Sequence, residues 1–264
     1  LSTLEICTLA SGSSGNSLLA KTAQGAILVD AGISCKRVCD GLKAHGVDPA
    51  ELSGIVITHE HSDHISGLTV LLKKYRLPIY TSAETGRQLC YRIPAIEDLI
   101  HPVKAGEDFQ LGGLELHPFH TPHDAAGSLG FSFYDGRCRA SIATDFGYVT
   151  DEIADAVRGS DFVLMEANYE EDWLLEGSYP YPLKQRILGD HGHLSNADGA
   201  ELACYLAQNG TKNLVLGHLS KENNSPDQAY RVVSQKLLQA GVELGKDMSL
   251  SVAPRSENSP VWTV

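Results

Sequence analysis

Apolar and polar positions follow two rhythms along this chain, and the rhythms predict its elements. Short apolar runs bounded by turn residues read as buried strands: Ala26-Ile27-Leu28-Val29 stops at Asp30-Ala31-Gly32, and Gly54-Ile55-Val56-Ile57-Thr58 stops at a histidine cluster. Residues 3–8 and 17–21 read as strands on either side of the turn Ser11-Gly12-Ser13-Ser14-Gly15-Asn16. Residues 34–45 and 65–75 carry the spacing of amphipathic helices, and Pro78 separates the second from the short strand Ile79-Tyr80-Thr81. From 107 to 145 the pattern alternates with period two, as antiparallel strands do, and Asp135-Gly136 offers a hairpin turn between 129–134 and 139–143. Strands at 161–165, 213–216 and 249–252 then alternate with helices that start at Ser195 and Ser225. Ser225 is placed as an N-cap, with Pro226 in the first turn and Gln228 completing a capping box; Gly210 and Gly241 stop these two helices. Two β-rich halves, each carrying helices, predict an α/β chain folded as one four-layer αββα sandwich over residues 1–264.

Composition narrows the class. Of the 264 residues, 42% are hydrophobic and 20% charged, as in a globular protein with a sizeable core. No apolar run reaches the length of a membrane span, and residues 1–9 lack the basic and apolar regions of a secretory leader. The six cysteines, at 7, 35, 39, 90, 138 and 204, form no C-x-x-C pair, and Cys35 and Cys39 lie four apart on a predicted helix, a poor disulfide geometry. Reduced thiols and a cytoplasmic setting are expected.

The chemistry concentrates in Thr58-His59-Glu60-His61-Ser62-Asp63-His64, directly after a buried strand. Alternation along extended backbone puts His59 and His61 on one side, and Asp63 and His64 stand at the mouth of the next helix. Imidazoles with a carboxylate suit zinc, manganese or iron. Four ligand-type residues within six positions exceed the needs of one ion with an open water site and fit two ions sharing a bridge. His123, Asp145 and His218, each at or beyond the end of a predicted strand, supply the rest; His120 competes with His123 for its place.

Asp30, His59-x-His61-x-Asp63-His64, His123, Asp145 and His218 resemble, in order, the metallo-β-lactamase superfamily, over essentially the whole chain. The resemblance implies that His59, His61 and His123 hold one metal, that Asp63, His64 and His218 hold a second, and that Asp145 bridges them. Asp30 would orient a ligand loop from behind. Antibiotic-hydrolysing members commonly have cysteine where this chain has Asp145, and flavodiiron oxidoreductases have Glu where it has His61. Nucleases of the β-CASP type carry an inserted domain for which there is no room. The runs Leu164-Met165-Glu166-Ala167 and Gly192-His193-Leu194-Ser195-Asn196 resemble the Glu and His elements of tRNase Z-type enzymes. Resemblance is closer still to the small bacterial YycJ (WalJ) exonuclease group, through residues 11–16, Tyr179-Pro180, Leu183-Lys184, 186–190, 192–196 and 217–224. That group implies 5′–3′ hydrolysis of DNA with a manganese-type dimetal site. One departure is Asn168-Tyr169, where the group has Asn-His.

The expected activity is therefore metal-dependent phosphodiester hydrolysis on DNA, with Asp63, His193 and Glu166 as catalytic residues and His193 as proton donor. A glyoxalase II-like thioesterase or small phosphodiesterase is the rival, and a non-enzymatic metal-binding module comes last. The net charge of −12 fits a small substrate more easily than a polyanion, so a DNA enzyme needs a local cationic field at the site. Ser13, Ser14, Gly15 and Asn16 read either as a phosphate cradle of backbone N–H groups or as a tight turn. Lys184 and Arg186 are offered to a nucleic-acid backbone, and Trp173, Tyr179 and Tyr181 either stack bases or pack. No membrane and no organic cofactor are expected.

Overall fold

The computed structural model describes residues 3–264. Its first sheet contains β1 (Glu5–Ala10), β2 (Ser17–Lys21), β3 (Ala26–Val29), β4 (Gly54–Val56), β5 (Ile79–Ser82) and β6 (Ile100–Val103). The second contains β7 (Phe109–Leu111), β8 (Leu114–His120), β9 (Leu129–Tyr134), β10 (Arg139–Ala143), β11 (Phe162–Glu166), β12 (Asn213–Gly217) and β13 (Ser249–Val252). The last strand, β14 (Trp262–Thr263), returns to the edge of the first sheet beside β1. The helices are α1 (Cys35–Ala44), α2 (Ser62–Ile65), α3 (Leu68–Tyr75), α4 (Ala83–Arg92), α5 (Asp151–Val157), α6 (Glu171–Glu176), α7 (Tyr181–Leu188), α8 (Asn196–Gln208) and α9 (Pro226–Gln239).

Period-two alternation sorts the apolar side chains into layers. Ile6, Leu18, Ala20, Ile27 and Val29 face Leu116, Phe131, Phe133, Phe162, Leu164 and Val215 between the two sheets. Their neighbours Cys7, Leu9, Leu19, Leu28 and Ile55 face outward against Val38, Leu42, Leu68 and Leu71 of α1 and α3. On the other side, Val163, Met165, Leu214 and Leu216 meet Ile153, Leu202, Leu206, Val233 and Leu237 of α5, α8 and α9. The result is the expected αββα sandwich, three apolar layers deep.

Both sheets are mixed, and this places the site. β3, β4, β5 and β6 run parallel in one, and β10, β11, β12 and β13 run parallel in the other. Parallel strands deliver their carboxyl ends to one rim, where ligand-binding loops collect. The helix expected over 65–75 is broken into α2 and α3 at Ser66-Gly67. A side chain on Gly67 would put its Cβ 2.0 Å from the Ile33 carbonyl, so the chain passes Ile33 too closely for anything but glycine. Ser225 caps α9 through Gln228 N as expected, but the Gln228 side chain turns to Arg231, so the capping box is only half made.

Candidate metal centre

Strand ends present the chemistry. Asp30 follows β3, the 59–64 segment follows β4, Asp145 follows β10, Glu166 ends β11 and His218 follows β12. Asp30, Asp145 and His218 take positive φ values of 57°, 62° and 55°, which swing each side chain off its strand toward the rim. Such backbone costs energy in non-glycine residues and collects at functional sites; Asp and His tolerate it better than most.

Two ligand-type triads form. His59, His61 and His123 bring their atoms within 4.8 Å of one another, as do Asp63, His64 and His218. Asp145 stands between them: its Oδ1 lies 3.6 Å from His123 Nε2 and 3.5 Å from His218 Nε2, and its Oδ2 lies 3.3 Å from His64 Nε2. Three of the five rings are held from behind. His64 Nδ1 donates to Asp30 Oδ2 at 2.7 Å, His218 Nδ1 to Glu166 Oε1 at 2.7 Å, and His123 Nδ1 to the Gly192 carbonyl at 3.0 Å. These bonds leave the Nε2 atoms facing inward, the arrangement metal-binding histidines need. Asp30 also accepts from Thr58 N and Thr58 Oγ1, both at 2.9 Å, and so locks the segment that carries His59.

The electrostatics fit cations. Burial, then the neighbouring His64, His123 and His61, holds His59 well below its ordinary pKa and keeps it neutral. Burial would also lower His64 and His218, but the surrounding carboxylates win. Asp145, Asp30 and Asp63 push His64 well above its ordinary value, and Asp145, Asp63 and Glu166 push His218 up to about 10. Burial opposes ionisation of Asp63, yet hydrogen bonds to His218 and His64 pull it far below the carboxylate range. Two buried atoms, His59 Nε2 and Asp145 Oδ2, have no hydrogen-bond partner. Such orphans each cost about 1–3 kcal/mol unless something satisfies them. A neutral imidazole nitrogen and a carboxylate oxygen, both bare at one locus, fit metal ions.

Glu166 is shared. Its Oε1 accepts from His193 Nδ1 at 2.8 Å as well as from His218, while its Oε2 accepts from Phe146 N and Leu194 N at 3.2 and 3.1 Å. The expected Glu166–His193 pair is therefore present, but the same oxygen also orients His218. His193 Nε2 is left for other contacts.

The remaining candidates fall in varied settings. His120 is exposed and turned to Glu152, away from the triads, whereas His123 lies within one. In the Ser/Gly loop, Gly12 N donates to Asn16 Oδ1, Gly15 N to Gly12 O and Asn16 N to Asp63 O. Those three donors are spent inside the protein, which leaves only the N–H groups of Ser13 and Ser14 for a phosphate and favours the tight-turn reading. Asn16 instead reaches His64 Nε2 at 3.1 Å through its amide, while Ser13 and Ser14 stay exposed. Lys184 Nζ donates to the Leu175 carbonyl at 2.6 Å and keeps two further N–H donors, while Arg186 is engaged by Asp124 through two hydrogen bonds. Tyr169, the departure from the expected pattern, is buried with Leu174 and Ile187 in a small core under α6 and α7.

Three supports were missed. Glu60, buried between the histidines, accepts from Ala126 N at 2.9 Å and from Thr85 Oγ1 at 3.3 Å, tying the His59–His61 segment to the loop carrying His123. Its signal was there: a carboxylate inside a histidine cluster leaving a buried strand. Asn168 Nδ2 donates to the His218 carbonyl at 2.7 Å, and Arg255 donates to the carbonyls of Leu219 and Ser220, fixing the loop beyond β12.

Residues 26–219 match the family described as the β-lactamase superfamily domain. Exodeoxyribonuclease WalJ of Streptococcus pneumoniae is 40% identical over 245 residues, covering 92% of this chain and 91% of that one. Exodeoxyribonuclease YycJ of Bacillus anthracis is 37% identical over 246 residues, with 92% of each covered. The metallo-β-lactamase fold protein YhfI from Bacillus subtilis superposes with a TM-score of 0.73 at 15% identity, over 99% of this chain and 100% of that one, a likeness of fold. Hydroxyacylglutathione hydrolase of Halorhodospira halophila is 30% identical but aligns with only 40% of this chain and 44% of its own length.

Proposed function

This chain belongs to the β-lactamase superfamily, in the family of the exodeoxyribonucleases WalJ and YycJ, and from that membership we propose that it is a binuclear metal-dependent phosphodiesterase that degrades DNA from a 5′ end. The observation that carries the reading is the Asp145 carboxylate standing between two imidazole-rich triads, with His193 held beside them by Glu166. His59, His61 and His123 would hold one divalent ion, and Asp63, His64 and His218 the other, with Asp145 common to both. Manganese or zinc suits this donor set, and iron is compatible with it. Ions bound there supply Lewis acidity toward the phosphoryl oxygens and a water acidified to near neutrality.

The chain's own groups do the rest. With Nδ1 bonded to Glu166, His193 has Nε2 to give a proton to the departing sugar oxygen, a poor leaving group without one. Glu166 holds that ring in place, and its remaining oxygen, bonded to two backbone N–H groups, cannot rotate away. The thioesterase reading loses ground because its relatives align with less than half of the chain. Unpaired cysteines among the described residues support a reducing, cytoplasmic setting.

A substrate panel tests the proposal: single- and double-stranded DNA with 5′-phosphate or 5′-hydroxyl ends, a thioester, and bis-nitrophenyl phosphate, each with manganese or zinc. Mononucleotides released from the 5′ end are the expected result, with DNA turnover falling as salt rises and the small diester far less affected. Thioester cleavage with intact DNA would overturn the nuclease reading, and release from the 3′ end would overturn the polarity.

A further inference from the structure

A cavity of about 150 Å³ opens beside His193, between the small α6–α7 cap and the loops that carry the metal-binding candidates. Tyr179, Leu183 and Ile187 give it an apolar side, while Ser13, Asn168 and Ser220 give it a polar one. Clefts that enclose whole drug-sized ligands begin at roughly 300 Å³, so this one admits a fragment, on the order of a single ring system.

The walls say which fragment. A phosphate belongs with cations, and the free cationic capacity here is small: Arg186 on the rim is already paired with Asp124. Tyr179 is half-buried against the core formed by Tyr169, Leu174 and Ile187, so its ring is held in place by packing. A fixed aromatic wall favours a flat π-system over a hydrated anion or an aliphatic chain. The Ser220 hydroxyl accepts from Asn223 N at 3.2 Å and keeps its own proton to donate to a ring-edge acceptor. Proximity to His193 places the occupant next to the bond being cut.

We infer that this cavity seats the nucleobase of the nucleotide flanking the scissile phosphate, with Tyr179 as its stacking platform. The inference rests on the nuclease reading and adds to it a one-base subsite that no ligand-type residue marks. Stacking is indifferent to base identity, so all four bases are accepted.

The test pairs protein and substrate changes. Tyr179→Ala and Tyr179→Phe are compared with the unsubstituted protein on a 5′-phosphorylated strand, and on the same strand carrying an abasic nucleotide at its 5′ end. Metal content and circular dichroism check that each variant is folded. Tyr179→Ala should raise KM on the ordinary strand by roughly tenfold to a hundredfold, the scale of one lost base–aromatic stack, and Tyr179→Phe should restore it. On the abasic strand the Ala variant and the parent should differ by less than about twofold, since the stack is already gone. Equal losses on both strands, or no rescue by Phe, overturn this inference and leave the nuclease reading standing. No cleavage of any strand by the metal-loaded parent overturns both.

Discussion

Glu166 gives one oxygen to two imidazoles, and that sharing decides what its removal will do. His193→Ala should keep both ions and DNA binding while turnover falls by roughly a hundredfold to ten-thousandfold. Glu166→Gln should lose turnover and also weaken the ion at His218, so elemental analysis separates the two variants. Full metal content in Glu166→Gln would show that His218 does not depend on its carboxylate. A second expectation comes from His218, whose pKa of about 10 in the ion-free protein lies above its unfolded value. Its contribution to stability is complete below pH ~6.5 and is lost as pH climbs toward 10, because the unfolded chain releases the proton first. Thermal midpoints of chelated protein between pH 6.5 and 10 should therefore decline, and a flat profile would contradict the assignment. At this scale the sequence was most legible where ligand types cluster. His120 and His123 were both offered for one ligand place; His123 lies within a triad and His120 turns to Glu152. Asn168 was not legible, because its partner is a backbone carbonyl dozens of residues away, whereas Glu60 did carry a signal in its place inside the histidine cluster.

Elements reach the site through close backbone approaches. A Cβ on Gly32 would lie 1.6 Å from the Asp63 carbonyl and 2.7 Å from Asn16 N, where three segments of the rim meet. Gly32→Ala must push Asp63 and the Ser/Gly turn apart, and should destabilise the fold by roughly 2–4 kcal/mol. Denaturant titration reads the stability, and the ion proposed for Asp63, His64 and His218 should be lost with it. Element reading from the chain succeeded for long periodic segments and for capped starts such as Ser195 and Ser225. It passed over α4 to α7, β6 and β14, and it set the first strand two residues early. Those helices are ten residues or fewer, and β6 carries Pro102 on a sheet edge where a missing N–H costs nothing. Short elements owe their form to tertiary packing, which local periodicity does not encode.

For the whole molecule, the site straddles two sheets. The 59–64 segment leaves the first, and His123, Asp145 and His218 belong to the second, so ions held between them would pin the two halves together. Each ion present at a thousandfold above its dissociation constant adds about 4 kcal/mol to folding. Exhaustive chelation should lower the thermal midpoint markedly, and manganese or zinc should restore it. An unchanged midpoint after verified metal removal would mean the halves hold without them. At the far edge of the first sheet, two residues do quieter work. Trp262 and Thr263 pair with Ile6 and Glu5, and the Trp262 ring lies 5.4 Å from Phe162 at the mouth of the inter-sheet layer. The other three outer strands are only three or four residues long, poor templates for another chain. Beneath β14, however, runs β1, six residues long and almost wholly buried. Residues 254–259 already cover its far half, so deleting residues 262–264 would bare the Leu4–Ile6 end as a docking edge for its own copies. Light scattering should then show concentration-dependent aggregation by protein whose metal centre is still intact, so colloidal solubility in this fold hangs on one turn of a pleat.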